Sequence, residues 1–171
     1  MKNVVLVGFM GTGKTAVAKK LALELGREYI SIDALIEKDQ KMAISEIFEK
    51  HGEKYFREIE KRIVENISSQ KGKVFDTGGG IVLENENIVS LKKNGIIICL
   101  WTEPEVIHCR TKRHKHRPLL NVDDPMKRIK ELLETRKPFY EKADFHINTT
   151  NMDIDEVVKE IRKIVYDTEN Q

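Results

Sequence analysis

Short apolar runs alternate with longer segments in which apolar residues return every three to four positions, and this alternation continues along the whole chain. Five runs read as strands: 4–7 (VVLV), 29–32 (YISI), 73–76 (KVFD), 96–100 (IIICL) and 145–148 (FHIN). Between them the spacing predicts helices over 16–25, from about Ala34, over 44–51 and 53–67, over 88–93, from about Pro104, over 125–143 and over 153–166. In the fourth of these, Phe56, Ile59, Ile63, Val64 and Ile67 form one stripe. Gly26, Gly52 and the Asn94-Gly95 pair are the expected stops. The run over 96–100 is apolar at every position, as in a strand covered on both faces. The prediction is therefore an α/β fold, a parallel sheet with helices on either side.

Composition narrows the class. A chain of 171 residues with 40% hydrophobic positions can enclose one substantial core, and no Pro/Gly/Ser-rich linker divides it, so residues 1–171 are expected to form a single domain. Lys and Arg number 30 against 28 Asp and Glu, a net charge of +2, which gives no general case for a nucleic-acid or membrane partner. No signal-peptide core opens the chain and no apolar run approaches membrane-spanning length, so a cytoplasmic protein is expected. Cys99 and Cys109, the two cysteines, sit in strand-like and helix-like runs that suit reduced core thiols rather than a disulfide or a zinc site.

The candidate chemistry lies where strands end. Gly8-Phe9-Met10-Gly11-Thr12-Gly13-Lys14-Thr15 fits G-x-x-x-x-G-K-[ST] and stands between a predicted strand and a predicted helix, as a phosphate-binding loop must. In such a loop, backbone N–H groups meet the phosphates, Lys14 reaches the β- and γ-phosphates, and the Thr15 hydroxyl can ligate Mg²⁺. Asp33 follows the second strand; it can hold or deprotonate a substrate hydroxyl, or cap the next helix. Arg57 and Glu60 are spaced i, i+3, either as a solvated surface pair or as an Arg fork oriented to receive a carboxylate. Asp76 ends the third strand just before Gly78-Gly79-Gly80, where the backbone must come close to something. An acid there can face a metal through water, or satisfy donors in the glycine turn. The basic run over 110–120 reads as a segment closing over nucleotide phosphates, and its His114/His116 pair lacks a third metal ligand nearby.

Taken in order, these motifs resemble the shikimate kinase family, small P-loop kinases of the nucleoside-monophosphate-kinase structural type. The likeness rests on GFMGTGKT at 8–15, Asp33 within I-D-x-x-I-E, G-E-x-Y-F-R-x-x-E ending at Glu60, TGGG at 77–80, RPLL at 117–120 and R-x-x-x-Y from Arg136 to Tyr140. It implies a three-layer αβα P-loop fold with a five-stranded parallel sheet in the order 2-3-1-4-5, a substrate-binding region over 33–62 and a lid over about 110–124. It also implies transfer of the ATP γ-phosphoryl group to the 3-hydroxyl of shikimate, on the route to chorismate and the aromatic amino acids. By the same resemblance, Gly11, Thr12, Gly13, Lys14, Thr15, Ala16, Arg110 and Arg117 would bind ATP, with Lys14, Asp33 and Arg117 catalytic. Asp33, Arg57, Gly79, Gly80 and Arg136 would bind shikimate, with Glu60 behind Arg57. Mg²⁺ would sit at Thr15; Asp76, placed where many other P-loop proteins keep a metal-facing acid, either acts through water in place of the acid missing at Ser31 or only satisfies donors in the glycine turn. The partners implied are ATP and shikimate, acting on a monomer. Two positions depart from the family pattern: Ser31-Ile32-Asp33 stands where D-x-D is common, and no proline lies over 148–153.

A kinase of gluconate or of nucleoside monophosphates is the nearest alternative, because gluconate too carries a carboxylate. A GTPase switch should show N-K-x-D, which is absent, and an idle binding module should have lost Lys14 or Asp33, which are both present.

Overall fold

The computed structural model describes residues 1–112, 120 and 122–170. Five strands form one parallel sheet in the order β2-β3-β1-β4-β5: β1 (Asn3–Val7), β2 (Glu28–Ser31), β3 (Lys73–Asp76), β4 (Gly95–Trp101) and β5 (Phe145–Asn148). Among the described residues seven α-helices connect and cover them: α1 (Lys14–Leu25), α2 (Ile32–Gln40), α3 (Ile44–Ile67), α4 (Asn85–Lys92), α5 (Pro104–Thr111), α6 (Pro125–Tyr140) and α7 (Ile154–Glu169).

Strand alternation divides the core in two. Val4, Leu6, Val74, Ile96, Ile98 and Leu100 pack with Val17, Leu21 and Ala22 of α1 and Val157, Val158, Ile161 and Val165 of α7. Val5, Val7, Phe75, Ile97 and Cys99, on the other face, pack with α3, α4 and α6. Strands covered on both faces are largely apolar, and all five residues of β1 are buried: Val4 to Val7 in the core, and Asn3 with its amide donating to Gln70 O and accepting from Lys73 N. The chain leaves β1 for α1 and β2 on one side, and β4 takes the other side, so the loop after β1 lies at the topological switch point where open parallel sheets bind ligands.

The expected elements are all present, with shifted ends. Gly52, at φ 80° and ψ 172°, is non-helical and divides α3 into the two helical segments expected. The second strand stops at Ser31 instead of Ile32, because the Ser31 hydroxyl accepts from Ala34 N and starts α2 there. Asp33 is therefore in the first turn of α2 and is not its cap. Helix α7 starts as expected: Asp153 and Glu156 form a reciprocal capping box. One cysteine departs from the expectation: Cys99 is buried, but Cys109 is exposed, since α5 turns that position outward.

Candidate active site

The loop between β1 and α1 is built to receive an anion. Gly13, at φ 94°, is the N-cap of α1 and offers no side chain to its N-terminus, where the first turn carries no acid. The first turn of α1, from Lys14 to Ala16, stands at the positive end of the helix dipole. Thr12 is buried and donates to Phe9 O at 2.8 Å, while Lys14 Nζ donates to Gly8 O and Phe9 O at 2.8 and 3.0 Å. Gly11, Gly13, Lys14, Thr15 and Ala16 line a cavity of about 500 Å³ together with Asp33, Asp76, Gly78 and Gly79. Arg110 Nη1 donates to Gly11 O at 3.3 Å, and its side chain also borders a second cavity of about 530 Å³ beside Thr149, Met152 and Asp153. This second cavity adjoins the phosphate loop through Gly13 and Ala16.

The glycine turn after β3 is where the remaining charges meet. A β-carbon at Gly78 would lie 2.8 Å from Asp33 Oδ1, and one at Gly80 would overlap the Arg57 guanidinium, 2.8 Å from Cζ. Arg136 Nη1 donates to Gly79 O at 3.4 Å and Tyr140 Oη, one helical turn on, donates to the same carbonyl at 2.7 Å. Three short residues thus bring α2, α3 and α6 together around one backbone segment. Arg57 is held by Glu60 at 2.7 Å and Glu53 at 3.1 Å, so the pair is not a solvated surface bridge: the Glu60 side chain is only 1% exposed. Burial raises the Glu60 pKa against the pull of Arg57. Arg57 stacks over Phe56 and Arg136 over Phe9. Two guanidinium groups at one turn can grip a carboxylate bidentately.

Asp33 faces this turn with its pKa raised by burial and by the neighbouring Asp76 carboxylate, which Lys14 and Arg57 only partly oppose. A carboxylate so placed is a better proton acceptor than a solvated one. Asp76 is buried at the end of β3, register-paired with Ser31, and accepts from Tyr29 Oη at 3.0 Å. Burial and Asp76 push the Tyr29 phenol up to about 12.

The structure thus brings together Lys14, Thr15, Asp33, Arg57, Glu60, Asp76, Gly79, Gly80, Arg110 and Arg136. Arg117, the His114/His116 pair and most of the expected lid lie outside the described residues. Sequence reasoning missed Tyr29, Glu53, Phe9 and Tyr140 as members of the site; Phe9, Glu53 and Tyr140 each carried a signal, as fixed positions of GFMGTGKT, G-E-x-Y-F-R-x-x-E and R-x-x-x-Y, and Tyr29 carried none. A larger apolar cleft of about 670 Å³ beside Trp101 and Leu133 shares Phe9 and Tyr140 but contains none of Lys14, Asp33, Arg57 or Arg136, so its size does not make it the reaction centre.

Known proteins resemble this chain over most of its length. The family model for shikimate kinase matches residues 10–166. The chain belongs to the shikimate kinase family. A shikimate kinase of Caldanaerobacter subterraneus subsp. tengcongensis is 54% identical over 161 residues, covering 94% of each chain, and one of Thermodesulfovibrio yellowstonii is 51% identical over 163 residues, covering 95% of this chain and 94% of the relative. The solved structure of shikimate kinase from Acinetobacter baumannii in complex with shikimate superposes with a TM-score of 0.94 at 37% identity, covering 100% of this chain and 96% of the other. The resemblance read from the motifs and the strand order it implied are both borne out.

Proposed function

We propose that the protein transfers the γ-phosphoryl group of ATP to the 3-hydroxyl of shikimate, giving shikimate 3-phosphate and ADP. The carrying observation is that Asp33, Arg57 and Arg136 converge on the Gly78–80 turn, in the chain of a shikimate kinase family member whose phosphate loop shares a cavity with Asp33. In this reading Arg57 and Arg136 clamp the shikimate carboxylate and Glu60 holds Arg57 in place. Asp33 orients the hydroxyl and accepts its proton as the oxygen bonds to the γ-phosphorus and the bond to the β,γ-bridging oxygen breaks. Backbone N–H groups of Gly79 and Gly80, with Lys14, meet the charge spread over the transferring group. Arg117 is assigned to the same charge, and Arg110 to the adenine. Catalysis is then mainly positioning and electrostatic stabilisation.

The donor set at the loop fits a hard divalent cation, because a hydroxyl at Thr15 and the carboxylates of Asp33 and Asp76 line one cavity with the phosphate-binding backbone. Such an ion is held through few protein oxygens plus phosphates and waters, and we infer Mg²⁺, held by Thr15 directly and by Asp76 through water. When bound it neutralises the β- and γ-phosphate oxygens. Among the described residues no helix is long and apolar enough to cross a membrane. The reading is of a cytoplasmic monomer with ATP and shikimate as its partners.

The test is ADP release by the purified protein with Mg²⁺ and shikimate, gluconate or nucleoside monophosphates, with ³¹P NMR locating the new ester. Shikimate-dependent release with the phosphoryl group on O3 is expected. Release with gluconate or a nucleotide and none with shikimate would overturn the assignment.

A further inference from the structure

We propose that Tyr29 is a positioning residue that sets the metal-facing carboxylate of Asp76 relative to the phosphate loop; this rests on the reading of Asp76 as an acid acting through water on the bound cation. Tyr29 and Ser31 share one face of β2, two positions apart, and Ser31 is register-paired with Asp76 of β3. The phenol therefore reaches Asp76 along the cross-strand diagonal, within the range an aromatic side chain spans, and donates to Oδ2 at 3.0 Å. Ser31 lies directly opposite Asp76 and caps α2, accepting from Ala34 N at 3.2 Å, while the hydrogen bond to Asp76 comes from Tyr29. Among the described residues Tyr29 is thus the side chain that donates to the Asp76 carboxylate, which is only 6% exposed. A carboxylate this buried needs a fixed donor, and the donor decides which way its second oxygen faces.

The other side of the ring is tied to the helix that carries the loop. Lys19 Nζ stands 5.7 Å from the centre of the Tyr29 ring. Lys19 lies one turn beyond Thr15 on α1, so the ring spans from the end of β3 to the helix whose first turn supplies the Thr15 hydroxyl. Tyr29, Thr15, Asp33 and Asp76 line the same cavity. The geometry gives Tyr29 a role without requiring it to touch substrate: it holds the Asp76 to Thr15 spacing to which a hydrated cation must fit.

The test measures the affinity of the full chain for a fluorescent N-methylanthraniloyl-ADP across a Mg²⁺ titration and again in EDTA, for wild type, Tyr29→Phe, Asp76→Asn and the double variant. Outer-shell hydrogen-bond partners of metal sites typically alter metal affinity by 10–100-fold. Tyr29→Phe is expected to raise the Mg²⁺ midpoint by about tenfold, with affinity in EDTA unchanged and the double variant no worse than Asp76→Asn. An unshifted midpoint for Tyr29→Phe beside a shifted one for Asp76→Asn would overturn the positioning role. So would an equal loss in EDTA, which marks a general disturbance of the loop. If neither variant shifts the midpoint while wild type still phosphorylates shikimate, Asp76 and Tyr29 both leave the metal site and the enzymatic reading stands; absent turnover on shikimate in wild type would instead overturn that reading itself.

Discussion

Adding one carbon at Gly80 should damage shikimate capture while leaving the fold intact. Gly80 sits at φ −101° and ψ 0°, a conformation open to alanine, so Gly80→Ala introduces no backbone strain. The new methyl group, however, would stand 2.8 Å from Arg57 Cζ and 2.9 Å from Nη1. Carbon atoms pack at about 3.5–4.0 Å, so the guanidinium must retreat by about 1 Å. It is the end of a long side chain and can move, but only by stretching its contacts to Glu60 at 2.7 Å and Glu53 at 3.1 Å. The stability cost should stay near the low end of overpacking, about 1 kcal/mol, or about 2–4 °C in Tm for a chain of this size. A displacement of that order in a substrate-positioning group costs up to about 10²-fold in rate. The expected result is a 10–100-fold loss in kcat/KM for shikimate, carried mainly by KM, with ATP affinity within about twofold of wild type. Gly78→Ala is the matched comparison, because its β-carbon would meet Asp33 Oδ1 at 2.8 Å and should therefore lower kcat more than it raises KM. Steady-state kinetics with each substrate varied, and a melt of each variant, separate the cases. A Gly80→Ala enzyme with unchanged KM for shikimate, or one that loses ATP affinity equally, would refute the placement of Arg57 at the carboxylate.

Asp33→Asn should lower kcat by about 10²–10⁴ while nucleotide binding persists, and near-normal turnover would reduce Asp33 to positioning. Its folded pKa is raised, so the ionised form costs stability above that pKa, and the cost disappears as pH falls through it. Asp33→Asn should therefore melt higher than wild type at neutral pH, with the gain shrinking in acid; a constant difference from neutral to acid pH would contradict the linkage. The acid limb of kcat/KM for shikimate should fall as Asp33 protonates and vanish in Asp33→Asn, which a pH–rate profile would show. Arg136→Ala should weaken shikimate binding by about 2–5 kcal/mol without equal loss of ATP affinity, read by calorimetry with each ligand. Glu60→Ala should destabilise, but by less than the about 3–5 kcal/mol of a buried charge left unpaired, since Arg57 loses Glu60 and keeps Glu53 at 3.1 Å; denaturant midpoints that match wild type would refute a stabilising role for the buried pair.

Much of this protein was legible in its sequence because the signals are local. The GFMGTGKT loop carries its own chemistry, and the strands and helices follow from periodicities that involve neighbouring residues only. The family likeness extended this to a strand order, which composition and spacing alone could not reach, since strands adjacent in the sheet are separated by whole helices. Helix ends were the weak point: the hydroxyl of Ser31 competes with the ladder for the backbone of α2, so β2 stops a residue early and Asp33 is not a cap. What only the tertiary structure decided are the contacts made across the sheet. The spacing of Arg57 and Glu60 is visible in one helix, but whether the pair is solvated depends on how α3 packs, and packing leaves Glu60 1% exposed. Tyr29 and Asp76 are 47 residues apart, and Tyr140 and Gly79 are 61 apart. No periodicity connects such positions, because their meeting is set by which strands lie side by side and in what register, and those follow from burying two apolar faces of one sheet at once.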